Sequence, residues 1–391
     1  MLRTSLCDFL RIDVPIIQAA MAACTSAELV STVSNAGGLG TLASALISIE
    51  DFKSYLARTA ELTQRPCAVN HSIPFFKEEA FAATLAAKPA VISFALGDAG
   101  DLVARAHDAD IKVMQMVNTV EQAERAVTQG ADIINAQGTE AGGFSGTIST
   151  MILIPQVVDA VGLVPVVASG GIFDGRGLAA AIALGAQGVA LGTRFLASVE
   201  APIDEMWKRS ITTARSDQVI RVPGWNEVFP LTSSRGYDVA PNSLQTSFTE
   251  ECGQVRGVGE SQTKRLNGRL MAAVREGKFF ELVSLRVKPQ GQFEVSSRLA
   301  ISSIESRPKP KEGSNELPTI SDVVGHEPTL PGLGPCPLWV ISGHRTRSTS
   351  CPLYPQKRTS CAAVKNVVIR SPCRRERSAL GAQLDQAPWR S

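Results

Sequence analysis

An α/β chain closing into a TIM (β/α)8 barrel and followed by a disordered tail is the architecture this sequence predicts. Three observations carry the prediction. Eight short apolar runs rich in β-branched residues alternate with amphipathic stretches, the pattern of β-α units closing a parallel sheet. The chain has 391 residues, 44% hydrophobic and 19% charged, enough for a barrel of about 250 residues with an extension. Glycine clusters follow the seventh and eighth runs, where barrels of this kind commonly hold a phosphate.

The strands are expected at Pro15–Ala19, Leu39–Ala43, Cys67–Asn70, Ala90–Ala95, Lys112–Val117, Asp132–Ala136, Val164–Ala168 and Gly188–Leu191. Each leads to a helical pattern. Over Glu121–Gly130, Ala123, Ala126 and Val127 share one face and a glycine ends the helix. Gly177–Gly185 repeats the design with smaller residues, and a last helical pattern spans Ser261–Glu281. The domain is therefore expected to occupy 1–283. Residues 284–391 hold 12 of the 22 prolines and Arg/Ser/Pro-rich pieces such as Ser306-Arg-Pro-Lys-Pro-Lys. Without sustained periodicity such a composition builds no second core, so this part reads as a low-order Pro/Ser/Arg-rich extension.

Charge divides at the same place. Residues 1–283 carry 23 Lys/Arg against 29 Asp/Glu, whereas 284–391 carry 16 against 8. A mildly acidic barrel lacks the clustered cations that nucleic acid or anionic membrane requires, so the expected partner is a small molecule. The first residues lack the apolar core of a signal peptide, and no run approaches a membrane span. The eight cysteines form no C-x-x-C pair, which suits reduced thiols in a cytoplasmic protein and no metal site.

The chemistry is expected at the carboxyl ends of the strands. After the seventh strand come Ser169, Gly170 and Gly171, and after the eighth Gly192 and Thr193. Glycines let backbone N–H groups approach a phosphate closely, and Thr193 can add its hydroxyl. Met21 follows the first strand, and amides stand at three other strand ends: Asn70, Gln115 and Gln137. Three converging amides suit the alternating donors and acceptors of a flavin edge better than a carboxylate-driven hydrolytic site.

The segments Pro15-Ile-Ile-Gln, Val33-Ser-Asn-Ala-Gly-Gly-Leu-Gly-Thr41, Ala136-Gln-Gly-Thr-Glu-Ala-Gly-Gly143, Ile154-Pro-Gln-Val-Val-Asp-Ala160, Ala168-Ser-Gly-Gly-Ile172 and Leu191-Gly-Thr-Arg-Phe195 resemble the nitronate monooxygenase (2-nitropropane dioxygenase) family. They are also similar to the related FMN-dependent enoyl-acyl-carrier-protein reductase II. The resemblance runs collinearly from about Met1 to Glu281. It implies FMN, with Met21, Asn70, Gln115, Gln137, Gly142 and Gly143 around the cofactor and Ser169, Gly170, Gly171, Gly192 and Thr193 at its phosphate. It implies oxidation of alkyl nitronates with O2 to a carbonyl compound and nitrite.

Two departures qualify that expectation. Many members of the family have histidine after Glu-Ala-Gly-Gly, the base for nitroalkanes, and this chain reads Glu140-Ala-Gly-Gly-Phe144. Phe144 accepts no proton, so an alkyl nitronate, already deprotonated, is the expected substrate rather than a neutral nitroalkane. The same change leaves open a reductase taking hydride from NAD(P)H and acting on an enoyl thioester or quinone, or a flavin-binding protein with little turnover. Of the other histidines, His107 reads as solvated, and His71 is a weak substitute because strand alternation turns it away from Asn70. Glu140 reads as a loop brace, and Ser145 has no activating base. The second departure is at the carboxyl end, where the family's Phe-Ala-Gly-Gln-Ser-like closing segment is replaced; Gly291-Gln292 is only a faint echo of it.

Overall fold

The computed structural model describes residues 2–222, 224–229, 237, 239–255 and 260–275. The expected boundary after Val283, the extension and Gly291-Gln292 lie outside the described residues.

The eight expected strands form, each within a few residues of its expected limits: β1 (Ile16–Gln18), β2 (Gly40–Ala43), β3 (Cys67–Ser72), β4 (Val91–Ala95), β5 (Lys112–Val117), β6 (Ile133–Gln137), β8 (Val166–Ser169) and β9 (Gly188–Leu191). They pair in the order β1-β9-β8-β6-β5-β4-β3-β2. Every neighbouring pair is parallel. The bridge Ile17↔Leu39 brings β1 back to the chain entering β2, so the barrel is nearly closed.

Several helices between strands start where short polar side chains accept from the first free N–H groups. Ser48 caps Ile49–Leu62 by accepting from Asp51 N, and Thr119 caps Val120–Thr128 by accepting from Gln122 N. Asp174 caps Gly175–Ala183 with bonds from Arg176 N and Gly177 N. The last described helix, Glu260–Arg275, begins within one residue of the expected Ser261.

Strand alternation sorts the core into layers. Ile17, Leu39, Ala68, Val91, Met114, Ile133, Val167 and Ala190 face the interior and pack on Leu6, Cys7, Leu10 and Ile12. The amino-terminal helix Ser5–Leu10 therefore closes one end of the barrel with apolar side chains. The intervening residues, including Ile16, Val117, Ile134, Ala136, Val166, Ala168, Val189 and Leu191, pack outward against the helices.

A second sheet was not foreseen from the sequence. β7 (Gly143–Ser145), β10 (Val219–Arg221) and β11 (Ala240–Leu244) pair antiparallel in the order β10-β11-β7. β7 has only three residues and lies inside the glycine-rich stretch after β6, so its short period could not be told from a loop. Its pairing comes from chain nearly a hundred residues away. Asn242 of β11 donates to Thr139 O and Ala141 O, both at 2.6 Å, and Arg221 Nη1 of β10 donates to Ser145 O at 2.9 Å. Beside it, Val222, Trp225, Val228, Phe248, Cys252, Val255, Leu266 and Leu270 form a separate apolar cluster against which Phe144 packs. Among the described residues no helix is long and apolar enough to cross a membrane.

Candidate active site at the barrel mouth

The interior layer above the apolar plug is polar. Two residues beyond each plug residue, alternation brings Thr41, Asn70, Ser93, Asn135 and Ser169 inward, with Ala19, Met116 and Gly192 completing the ring. These groups pair across strands. Asn70 Nδ2 donates to Ser93 O at 3.1 Å and Ser93 Oγ at 3.2 Å, and Ser169 Oγ donates to Asn135 Oδ1 at 2.6 Å. Asn135 and Gln137 remain only half-buried although they face the barrel interior, so the mouth holds open space. Thr41 Oγ1 is buried without a partner, a cost that a bound polar group or water would relieve.

Gln115 does not share this face. Its neighbours Met114 and Met116 point inward, so Gln115 points to the other side of β5. There it is 2% exposed and its Nε2 lies 3.0 Å from Gly97 O, 2.9 Å from Met116 O and 3.3 Å from Tyr237 Oη. The expected convergence of three amides is thus corrected: Asn70 and Gln137 meet at the mouth, whereas Gln115 ties the loop after β4 to Tyr237. A further mouth amide besides Asn135 is Asn118, just beyond β5 on the inward face, whose Nδ2 donates to Gln137 O at 3.0 Å and Gln137 Oε1 at 3.1 Å. The sequence held the signal, since counting inward from Met114 by twos reaches Met116 and Asn118.

The glycine loops come together because β8 and β9 are neighbours, with Ser169 opposite Ala190. Gly170 has φ +109°, and a Cβ there would lie 2.8 Å from Thr150 Oγ1 and 3.0 Å from Ala141 N. Only glycine fits that approach. Gly171 follows at φ +71°, Gly192 opens the short helix Thr193–Leu196, and Thr193 is 9% exposed. Met21 stands beside Gly192, its Sδ 3.8 Å from where a Cβ on Gly192 would be. Glu140 braces this corner: its Oε2 accepts from Thr150 N at 2.8 Å and Thr150 Oγ1 at 2.7 Å, at the start of the helix Thr150–Val161. Gly142 and Gly143 carry the chain from that brace into β7, with Gly143 at φ +69° and open space where its side chain would be.

Phe144 pairs with Pro241 across β7 and β11, and its ring lies 6.0 Å from Trp225. Trp225 lies 6.1 Å from Phe229, which stacks at 6.4 Å on Phe75 from the turn after β3. Four aromatic rings therefore link the end of β3 to the strand after β6. On its other side Phe144 packs on Leu96, Met116, Tyr237 and Val239. Burial, with the charge of Asp98, pushes the Tyr237 phenol up to about 12, so it stays protonated.

No base emerges from the remaining candidates. His71 is fully buried, with Nδ1 3.0 Å from Ser44 Oγ and Nε2 2.9 Å from Thr84 Oγ1. Phe52, Phe76, Phe81 and Phe94 surround the ring, and burial holds it down at about 4. It faces the helical layer, so its reading as a substitute base is withdrawn. His107 is paired with Asp132 at 2.9 Å on the surface. Ser145 is fully buried, its Oγ accepting from Asn242 Nδ2 at 3.2 Å. In the turn after β1, burial pushes the Cys24 thiol up to about 12, so Cys24 offers no thiolate nucleophile.

Comparison with known proteins agrees with this geometry. The family model described as Nitronate monooxygenase matches residues 3–80 and 76–222. The chain belongs to the nitronate monooxygenase family. Proteins of this family are generally FMN-dependent oxidoreductases. It is similar to the (3aS,4S,5R,7aS)-5-hydroxy-7a-methyl-1-oxo-octahydro-1H-indene-4-carboxyl-CoA dehydrogenase of Rhodococcus jostii (strain RHA1), at 38% identity over 53% of this chain and 59% of that protein. The chain thus spans less than two thirds of that relative. A probable nitronate monooxygenase of Staphylococcus saprophyticus is 33% identical over 56% of this chain and 75% of its own length. Among solved structures, FabK from Thermotoga maritima superposes with a TM-score of 0.65 at 29% identity, covering 74% of this chain and 93% of that one.

Proposed function

We propose that this member of the nitronate monooxygenase family binds FMN at the barrel mouth and oxidises alkyl nitronates with O2 to a carbonyl compound and nitrite. Ser169, Gly170, Gly171, Gly192 and Thr193 would hold the phosphate, where two strand ends and their close backbone approaches meet. Met21, Asn70, Gln137, Gly142 and Gly143 would border the ring. The polar interior layer with its unpartnered Thr41 hydroxyl and half-buried amides fits such a group. FMN supplies an acceptor for two electrons that O2 can reoxidise.

The observation that carries the substrate is Phe144. The position that would remove a proton holds a hydrocarbon ring packed on Trp225, and the nearby phenol of Tyr237 is held protonated. A site without a base suits a substrate that arrives deprotonated, as a nitronate does. The aromatic side chains exclude water from the reacting face.

A second reading, reduction of an enoyl thioester with NAD(P)H as hydride donor, is suggested by the 38% identity to a protein whose name carries a carboxyl-CoA substrate. The deciding experiment is the visible spectrum of the FMN-reconstituted protein under anaerobic conditions, with an alkyl nitronate in one cell and NADPH in another. Bleaching by the nitronate is expected. Bleaching by NADPH alone would replace the nitronate reading with the thioester one, and no bleaching by either would sink both.

A further inference from the structure

Asn118 and Gln137 form an amide pair whose orientation is fixed by a third group that cannot change role. A backbone carbonyl only accepts, so the Asn118 atom 3.0 Å from Gln137 O is its NH2 nitrogen. That same nitrogen lies 3.1 Å from the Gln137 side chain, so the Gln137 atom facing it is the oxygen. The amide of Gln137 is thereby set with Nε2 turned away from Asn118, on the inward face of β6. Among the described residues that nitrogen has no acceptor.

Asn118 is itself held firmly. Its backbone N–H donates to Gln122 Oε1 at 2.7 Å. Gly146 closes on its other side: a Cβ there would lie 2.6 Å from Asn118 Cβ. Asn118 Oδ1 is left buried without a donor, a cost accepted to keep the nitrogen on Gln137.

We infer that Asn118 is a positioning residue that makes Gln137 present an N–H donor, and not a carbonyl, to an acceptor atom of the bound flavin. The inference rests on the reading that FMN occupies the mouth. Ring acceptors gain electron density on reduction, so a donor fixed against one binds the reduced form more tightly and raises the midpoint potential. A glutamine free to rotate would offer its oxygen part of the time and lose that preference.

The test uses the full-length chain reconstituted with FMN, reading the FMN dissociation constant, the two-electron midpoint potential and the thermal transition. Gln137→Leu is expected to weaken binding of oxidised FMN severalfold and of reduced FMN about tenfold more, which lowers the potential by about 30 mV. Asn118→Ala and the near-isosteric, uncharged Asn118→Leu are expected to lower it too. In the Gln137→Leu background neither Asn118 change is expected to move it further, since both act through one amide. An Asn118 shift that persists in that background, or no shift from either Asn118 variant, overturns the inference alone. Failure of the wild-type protein to take up FMN overturns the cofactor reading together with the inference.

Discussion

His71 gives the structure a pH dependence that can be calculated and refuted. Its ring is buried among four phenylalanines and holds at about 4 against an ordinary 6.5, because burial penalises the charged imidazolium. Between those values the unfolded chain binds a proton that the folded protein refuses. Stability from this residue is therefore complete above pH 6.5, falls as the pH drops through the window, and levels off below about 4. At 1.36 kcal/mol per unit the full effect is about 3 kcal/mol, of which about 2 kcal/mol is lost between pH 7 and pH 5. The perturbation is His71→Gln, which cannot titrate. Urea unfolding of the flavin-free wild-type and variant proteins at both pH values isolates the term, because the other titrating groups cancel in the difference. The variant is expected to be less stable at pH 7, having lost the fit to Ser44 and Thr84, yet to lose about 2 kcal/mol less on acidification. Parallel pH profiles would refute the account of a buried neutral imidazole.

Three further outcomes concern the mouth and the strand beside it. Phe144→His is expected to raise turnover of neutral nitroalkanes at least tenfold with FMN still bound, assayed as nitrite release; unchanged turnover would show that this position does not decide the proton transfer. Gly170→Ala is expected to cost about 2 kcal/mol or more, from a positive φ and from contact with Thr150 and Ala141, and to cut FMN affinity sharply in a fluorescence titration. Gln115→Met is expected to lower stability by about 1–3 kcal/mol, leaving carbonyls and Tyr237 short of a donor. Its effect on FMN affinity should be smaller than that of Asn70→Ala, and the reverse order would return Gln115 to the flavin face.

The barrel was legible in the chain because its signal is local and repeated. Each strand is a short apolar run, several helices have a side-chain cap such as Ser48, Thr119 or Asp174, and eight repeats leave few other ways to bury that surface. The glycines after β8 and β9 were legible as residue types, and at Gly170 a positive φ and the approach of Thr150 and Ala141 require one. That Phe144 stands where many members of the resembled family have histidine was readable from the Glu140-Ala-Gly-Gly motif.

What needed the tertiary structure was the direction of side chains and the meeting of distant segments. Gln115 and Asn118 are three residues apart, and only the packing of Met114 into the plug settles which of them faces the mouth. The sheet joining β7 to β10 and β11 depends on Asn242 and Arg221 reaching carbonyls about a hundred and about seventy-five residues earlier. No local period records such a pairing, because its hydrogen bonds exist only once the barrel has brought the two strand ends together. The aromatic chain from Phe75 through Phe229 and Trp225 to Phe144 is of the same kind. The local pattern of apolar runs and turn residues determined that this chain would fold as a barrel, while the sheet of β7, β10 and β11 was decided by contacts between segments far apart in the chain.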